Sequence, residues 1–214
     1  MIYIIKHRKY NNPVPEGYIE LRIGELFEHK DKDNINQYNL YVNEVEGLYY
    51  MWKHCNDKII GLNHYRRLFI NNGEPLKMED AEKILQDYDM IIAPDVVFQE
   101  RNIYEQLKIE LGDYEIYDKY VDKFCEKEPE FRTFLQRYNF NNSEMFVCKK
   151  ELMDKYCEWL FPIILPIVEE FVKEDVNKVG NKRMIAHIIE RFFSYWINKN
   201  NLKCYRMNYN FIPE

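Results

Sequence analysis

The chain alternates short apolar runs with longer stretches in which apolar residues recur every three or four positions. Short runs rich in β-branched side chains are typical of buried strands, and the longer spacing is typical of amphipathic helices. The predicted strands span residues 2–5, 18–23, 59–62, 89–94 and 143–148, with a closing strand or tail over residues 204–211.

Helices are predicted between most of these strands. Asp33 or Asn34 can cap a helix that runs to about residue 54, and Pro162 is expected to end a helix that begins at residue 150. The strand–helix–strand order predicts a single α/β domain with a mostly parallel sheet flanked by helices. The remaining predicted helices span residues 78–88, 102–110, 115–125, 129–137, 166–174 and 181–197.

Basic and aromatic side chains directly follow two of the predicted strands. Burying a charge is costly, so arginines just after a core strand should lie at its exit, near water or an anionic ligand. In open α/β sheets, ligands bind beyond the carboxyl ends of the strands, and guanidinium groups suit phosphate. We therefore predict the floor of a phosphate or polyol site from these residues: His7, Arg8, His64, Tyr65, Arg66 and Arg67.

Four polar side chains share one face of the predicted helix over residues 34–54, namely Asn36, Asn39, Asn43 and Glu46. A solvated face is the usual explanation of such a row. Asparagine is a poor helix former, however, so its repeated use also suits contact with a ligand. The pattern alone leaves both interpretations open.

A second polar stripe lies on the predicted helix over residues 181–197. It consists of Arg183, His187, Glu190, Arg191 and Ser194. A carboxylate flanked by arginine and histidine can pair with them on the helix surface, which is the default interpretation. The same carboxylate can also serve as a general base.

Composition and charge exclude several classes of protein. The 214 residues are 46% hydrophobic and 31% charged, which is ordinary for one globular domain. The net charge of -6 argues against a general nucleic-acid binder. The 5 cysteines are scattered, as expected for reduced thiols in a cytosolic protein. No run is long enough to span a bilayer, so we expect a cytoplasmic protein whose contact with the inner face of the membrane, if any, is peripheral.

Motifs of several common enzyme classes are missing from the sequence. It contains no Walker A motif, no GxGxxG after the first strand, no HExxH and no GxSxG. The spacing of Cys and His does not support a zinc site. The residues by themselves therefore indicate an α/β domain that binds an anionic small molecule.

Several blocks, in order along nearly the whole chain, resemble the bacterial DUF4422 family. Its members are glycosyltransferase-like proteins of capsule, exopolysaccharide and lipopolysaccharide assembly. The most specific block is GLNHYRR at residues 61–67. Weaker ones are His7-Arg8 after the opening strand, LYYMWK at residues 48–53, YDMII at residues 88–92, and Glu190-Arg191 with Trp196.

The resemblance implies a GT-A-like fold, with residues 1–95 as the nucleotide-sugar-binding half and residues 96–214 as the acceptor-side half. It implies transfer of a hexose from a nucleotide-sugar, with a UDP-sugar expected, to an oligosaccharide or lipid-linked glycan. Many GT-A enzymes hold Mn or Mg through an Asp-x-Asp pair at the strand end where this chain carries arginines. We therefore expect metal-independent transfer. Asp89 or Asp95 would be the ligands if Mn or Mg is used.

The resemblance also suggests roles for individual residues. Glu190, as the general base, and His64 are the candidate catalytic residues. The chain departs from the family pattern at Glu46, where Thr is usual, and at Glu144, where Asn is usual, and it lacks a histidine expected after Gln106. The residues expected to bind the donor or its phosphates are His7, Arg8, Asn39, Asn43, His64, Tyr65, Arg66, Arg67 and Arg191.

Two other functions fit the same residues. One is a non-catalytic module that binds a nucleotide-sugar or a glycan within a polysaccharide assembly complex. The other is a phosphate-handling hydrolase that uses Asp89 or Asp95 with a metal ion.

Overall fold

The computed structural model describes residues 1–9, 13–112, 115–174 and 180–212, and residue 115 by its backbone alone. The apolar runs form strands as predicted, although several begin or end a few residues away from the expected positions. The strands are β1 (Ile2–Lys6), β2 (Tyr18–Arg22), β3 (Ile59–His64), β4 (Arg67–Asn71), β5 (Glu74–Pro75), β6 (Met90–Ile92), β7 (Val96–Val97), β8 (Asn139–Phe140), β9 (Phe146–Lys149), β10 (Cys204–Arg206) and β11 (Tyr209–Phe211).

The amphipathic segments form helices that pack on the sheet. Within the described ranges, no helix combines the length and the apolar character needed to cross a membrane. Short 3-10 helices occupy Gly24–Leu26 and Asn36–Tyr38. The α-helices are α1 (Asn39–Val42), α2 (Val45–His54), α3 (Met78–Ile84), α4 (Ile103–Leu111), α5 (Glu115–Lys127), α6 (Glu130–Phe134), α7 (Lys150–Phe171) and α8 (Met184–Lys199).

The central strands follow the order β10-β6-β9-β3-β1-β2. β1 lies between β2 and β3 and is parallel to both, and β10 is parallel to β6. β9 is inserted antiparallel between β3 and β6. Because the other five strands of this path run in one direction, the sheet is mostly parallel, and the predicted α/β class is confirmed.

Alternate side chains of the strands enter two separate apolar cores. Tyr3 and Ile5 of β1 face the larger core, which contains buried residues of α2, α4, α5, α7 and α8. Ile2 and Ile4 face the smaller core, with buried residues of β4 and α3. This alternation follows from the two-residue period of a strand, and it buries β1 on both faces, as is typical of α/β sheets.

The chain turns back directly after β3, which the sequence did not predict. His64 ends β3 and pairs with Arg67 at the start of β4, so Tyr65 and Arg66 form the turn. The buried Asn63 stabilises this hairpin, because its Oδ1 accepts a hydrogen bond from the Phe69 amide at 3.0 Å. β11 then pairs with β4 in antiparallel orientation and extends the hairpin by one strand.

The predicted continuous helix over residues 34–54 is broken at Asn43. Asn43 has a φ of 51° and a ψ of -123°, a backbone conformation that does not continue a right-handed helix. The segment therefore divides into the second 3-10 helix, α1 and α2. The break directs Asn43 and Glu44 away from the helix axis, towards the ends of β1 and β3.

Helix α7 continues through Pro162 and Pro166, so the predicted end at residue 162 and the separate helix over residues 166–174 are wrong. A proline inside a helix costs about 3 kcal/mol. Phe161, Ile164 and Ile167 are buried around the two prolines, and burying each such side chain contributes about 1.5–3 kcal/mol. Packing on the sheet and neighbouring helices thus outweighs the local preference.

Gly61 of β3 lies in close contact with the neighbouring strand β9, so replacing it tests how tightly these strands pack. A Cβ at this position would lie 2.8 Å from Val147 Cγ2 and 3.2 Å from the Phe146 carbonyl oxygen. Gly61→Ala should therefore lower the free energy of unfolding in urea by about 1–3 kcal/mol.

Gly47→Ala in α2 is the matched comparison. Its nearest contact would be Ile5 Cδ1 at 2.6 Å, the far end of a flexible side chain. Alanine also favours a helix over glycine by about 1 kcal/mol, so this variant should lose less stability. An equal or larger loss for Gly47→Ala would contradict the packing argument.

Candidate active site

A cavity of about 240 Å³ opens where β1 and β3 end. Ile5 pairs with His64 in the parallel register, so the residues that follow both strands meet at one edge of the sheet. The break between α1 and α2, the N-terminal half of α8 and the end of β11 complete the walls. The lining residues are His7, Arg8, Asn43, Glu44, His64, Tyr65, Arg66, Arg67, Arg183, His187, Glu190 and Phe211.

The structure brings most of the sequence-predicted site residues together in this cavity. Of the predicted catalytic and donor-binding residues, Asn39 and Arg191 do not belong to the described lining. Arg191 is only 1% exposed and lies behind Glu190. The donor-binding position expected for Arg191 is therefore corrected, because its guanidinium is enclosed by protein.

Aromatic rings of β11 position the two arginines of the hairpin. The Arg66 guanidinium carbon lies 4.5 Å from the centre of the Phe211 ring, and that of Arg67 lies 5.8 Å from the Tyr209 ring. The Ile212 amide also donates a hydrogen bond to the Arg66 carbonyl at 2.8 Å. Contacts between guanidinium groups and ring faces are favourable and orient the planar head group.

The opposite wall of the cavity joins the helix break to the start of α8. Arg183 donates from Nε to Asn43 Oδ1 at 3.0 Å, which links two segments far apart in sequence. Glu44 lies beside Asn43. Burial raises the pKa of Glu44, but the electrostatic interaction with His64, a backbone hydrogen bond and the interactions with His7 and Arg183 lower it by more. The resulting pKa is lowered, so Glu44 is ionised at neutral pH.

His64 is held in the uncharged form. Burial lowers its pKa, Glu44 opposes that effect, and the charges of Arg67 and His7 lower the pKa further. The His64 Nε2 atom is buried and has no hydrogen-bond partner among the described residues. A neutral imidazole with an unsatisfied nitrogen can give or accept one hydrogen bond from a ligand.

Glu190 combines an ion pair with a raised pKa. Its Oε2 lies 3.1 Å from Arg191 Nη1 and 3.8 Å from His187 Nδ1. Burial raises the pKa of Glu190 to about 7, against the opposing charge of Arg191 and with the repulsion of Glu44 and Glu110. Glu190 therefore forms the ion pair of the default interpretation, and it also has a pKa that suits the general-base interpretation.

The polar row on the first helix has a structural role at three of its four positions. Glu46 accepts hydrogen bonds from the Gly24 amide at 3.0 Å and from Asn36 Nδ2 at 2.9 Å. Asn39 packs on Gly24, where a Cβ would lie 2.6 Å from Asn39 Oδ1. Asn36, Asn39 and Glu46 thus surround Gly24, which has a φ of 64°. Asn43 is the member of the row that lines the cavity.

Asp89 and Asp95, the candidate metal ligands, take part in other contacts. Asp95 accepts a hydrogen bond from Arg206 at 3.0 Å, and Asp89 Oδ2 accepts one from the Lys203 amide at 2.8 Å. Neither belongs to the described cavity lining. Across the described residues, no three or more His, Cys, Asp or Glu side chains are grouped as a metal site.

Sequence reasoning missed four lining residues. Arg183 and His187 belong to the stripe on the last helix that drew attention to Glu190, so the signal was available. Glu44 belongs to the helix with the polar row, but it projects into the cavity only because of the break at Asn43. Phe211 gave no local signal, because its position depends on the pairing of β11 with β4.

Comparisons with known proteins agree with this architecture. The family model described as "Domain of unknown function (DUF4422)" matches residues 1–201. No curated protein sequence matches the chain. A solved apo structure of the WbbM bifunctional glycosyltransferase is similar over 100% of this chain and 45% of that chain, with a TM-score of 0.77 and 22% identity. The chain thus spans less than half of that structure, and the similarity shows a shared fold.

Glu144 is a buried acid next to this cavity, and it yields a test of the local electrostatics. Burial raises the pKa of Glu144 to about 8, and the negative charges of Glu190 and Glu44 contribute to the rise. The Tyr156 hydroxyl opposes the rise, because it donates a hydrogen bond to Glu144 Oε1 at 3.0 Å. Because the folded-state pKa exceeds that of the unfolded chain, the stabilisation from this group is complete below about pH 4.5 and is lost as the pH rises to about 8.

Glu144→Gln keeps the acceptor for Tyr156 but cannot ionise. The free energy of unfolding of this variant, minus that of the unchanged protein, should therefore increase from pH 5 to pH 8, by at most about 1.4 kcal/mol per pH unit. Urea unfolding at several pH values measures this difference. Glu158→Gln, at an exposed position of α7, should show none. The same pH dependence in both variants would refute the raised pKa.

Proposed function

The chain belongs to the DUF4422 family, and from this premise we propose that it is a glycosyltransferase. It would move a sugar from a nucleotide-sugar donor to a glycan acceptor. The observation that carries the proposal is the convergence of Arg66, Arg67 and Glu190 on one cavity at the ends of parallel strands. The fold shared with a bifunctional glycosyltransferase supports it.

The arginines suit the diphosphate of the donor. Arg8, Arg66, Arg67 and Arg183 line the cavity, and a guanidinium can bind two phosphate oxygens at once. The diphosphate gains negative charge as its bond to the sugar breaks. Cations already held in place stabilise that charge without reorganising. In this proposal they take the electrostatic role that Mn or Mg plays in many GT-A enzymes.

Glu190 is the proposed general base. Its carboxylate takes the proton of the acceptor hydroxyl while the hydroxyl oxygen attacks the anomeric carbon and the diphosphate leaves. A pKa of about 7 suits this task, since a base works best when its pKa is close to the working pH. Neutral His64 would donate a hydrogen bond from Nε2 to the diphosphate or the sugar, with His7 and Tyr65 as the adjoining wall.

The finer substrate assignment is a UDP-linked hexose as donor and an oligosaccharide or lipid-linked glycan as acceptor, in cell-surface polysaccharide synthesis. The family resemblance of the GLNHYRR block supports this assignment. A thermal-shift screen of nucleoside diphosphates and UDP-hexoses in pyranose and furanose forms, with and without Mn, tests it, because a ligand that binds the folded state raises the unfolding temperature.

Arg67→Ala should weaken UDP-hexose binding about 10- to 100-fold, since a hydrogen bond to a charged group contributes about 1.5–3 kcal/mol. Arg66→Ala should act in the same direction, and isothermal titration calorimetry measures both. Arg22→Ala is the control, because Arg22 pairs with Glu20 and Glu28 outside the described cavity lining. Unchanged affinity in both hairpin variants would remove the phosphate-binding role.

Glu190→Gln should reduce turnover about 100-fold or more while donor affinity stays within about threefold, because the amide cannot accept a proton. In the unchanged protein, turnover should rise with pH through about 7 as Glu190 ionises. Initial rates against pH with saturating donor measure both effects. Equal binding of free sugar and nucleotide-sugar, with no transfer by the unchanged protein, would instead identify a non-catalytic binding module.

A further inference from the structure

A buried arginine connects the proposed base to a carboxylate on another helix. Arg191 lies beneath the cavity and is 1% exposed. Its Nη1 donates to Glu190 Oε2 at 3.1 Å and to the His187 carbonyl at 3.1 Å. Its Nη2 donates to Glu110 Oε2 at 2.6 Å. Glu110 belongs to α4, so the contact joins α4 to α8.

The burial of this charge requires an explanation. Removing a guanidinium from water is costly unless opposite charges and hydrogen bonds compensate. Here two carboxylates share one cation, and the ring of Phe140 covers the guanidinium at 4.5 Å. The rigid planar fork of arginine can engage both carboxylates in fixed directions, which a lysine cannot do. The position of Glu190 is thus coupled to that of Glu110.

We propose that Glu110 is a positioning residue for Glu190, acting through the shared guanidinium of Arg191. It holds the base in place from outside the cavity and determines how much of the arginine's charge acts on it. This inference rests on the proposed function, because it takes Glu190 as the base. Glu110 itself is 32% exposed and does not belong to the described cavity lining.

The surrounding charges give the direction of the effect. Burial raises the pKa of Glu190, Arg191 lowers it, Glu44 and Glu110 raise it, and Arg67 lowers it. Without the charge of Glu110, Glu190 would be the one carboxylate among the described residues that is ion-paired with Arg191, and the pKa of Glu190 would fall. The charged and titratable groups around Glu190 are Arg191, His187 and Arg183 on or before α8, Glu110 on α4, Glu44 between α1 and α2, Arg67 on β4 and Glu144 before β9.

The test is the pH dependence of sugar transfer by Glu110→Gln, with the UDP-hexose selected in the thermal-shift screen. Glutamine can still accept the hydrogen bond from Arg191, so the fold should be retained while the charge is lost. In a plot of kcat/KM against pH, the acidic limb should move to lower pH by about half a unit or more. The kcat should fall several-fold with the KM for donor nearly unchanged. Glu126→Gln, at an exposed position of α5, is the control with the same change of charge.

A merely structural ion pair would give a different result. Glu110→Gln would then lower the unfolding temperature, and the pH profile of the folded protein would match that of the unchanged protein. That outcome overturns the proposal. Arg191→Lys gives a second measure, because one ammonium cannot hold both carboxylates, and its kcat should fall with little change in donor KM. A folded Arg191→Lys with unchanged kcat and pH profile also overturns it.

Glu190→Gln, assayed in parallel, separates this inference from the proposed function. Full turnover in that variant removes the base and the positioning role together. Loss of turnover in Glu190→Gln, combined with an unshifted profile in Glu110→Gln, overturns the positioning role and leaves the base in place. Loss in Glu190→Gln with the shifted profile in Glu110→Gln supports both.

Discussion

The parallel pairing of β1 with β3 is the constraint on which the site depends. It aligns Ile5 with His64, so the polar residues that follow both strands emerge at the same edge. The Tyr65 amide donates to the Ile5 carbonyl at 3.1 Å, which continues this alignment into the turn. The Arg66 and Arg67 guanidinium groups can therefore lie close to His7 and Arg8, although like charges repel. The backbone hydrogen bonds of the sheet hold the cluster together.

Charge balance within the cavity follows from burial as well as from residue type. Two carboxylates line the same cavity, yet their environments move their pKa values in opposite directions. Glu44 is kept ionised by a backbone hydrogen bond and its basic neighbours, whereas Glu190 lies where desolvation dominates. Such a separation lets one carboxylate serve as a fixed charge and the other exchange a proton. Arg191 keeps the second within reach of ionisation at neutral pH.

The sequence predicted those features that depend on local pattern. The short β-branched runs became strands, and the polar stripe on the last helix brings Arg183, His187 and Glu190 to the cavity. Prediction from the sequence failed where packing between residues far apart in the chain outweighed local conformational preference. Pro162 does not end α7, because burial around it compensates for the lost hydrogen bond. The helix over residues 34–54 breaks at Asn43, where Arg183 bonds the Asn43 side chain, and Asn36 and Glu46 from the two sides of the break both bond Gly24.

The sequence by itself determined the fold class, the placement of basic residues after two core strands, and the candidate base on the last helix. These follow from periodicity, from the cost of burying charge and from a recognisable block at residues 61–67. Only the tertiary structure decided which polar residues share one cavity. Phe211, Glu44 and Arg183 reach it through strand pairing and a helix break, and Arg191 is excluded from it by burial. Contacts between residues far apart in the chain leave no periodic signal in the sequence.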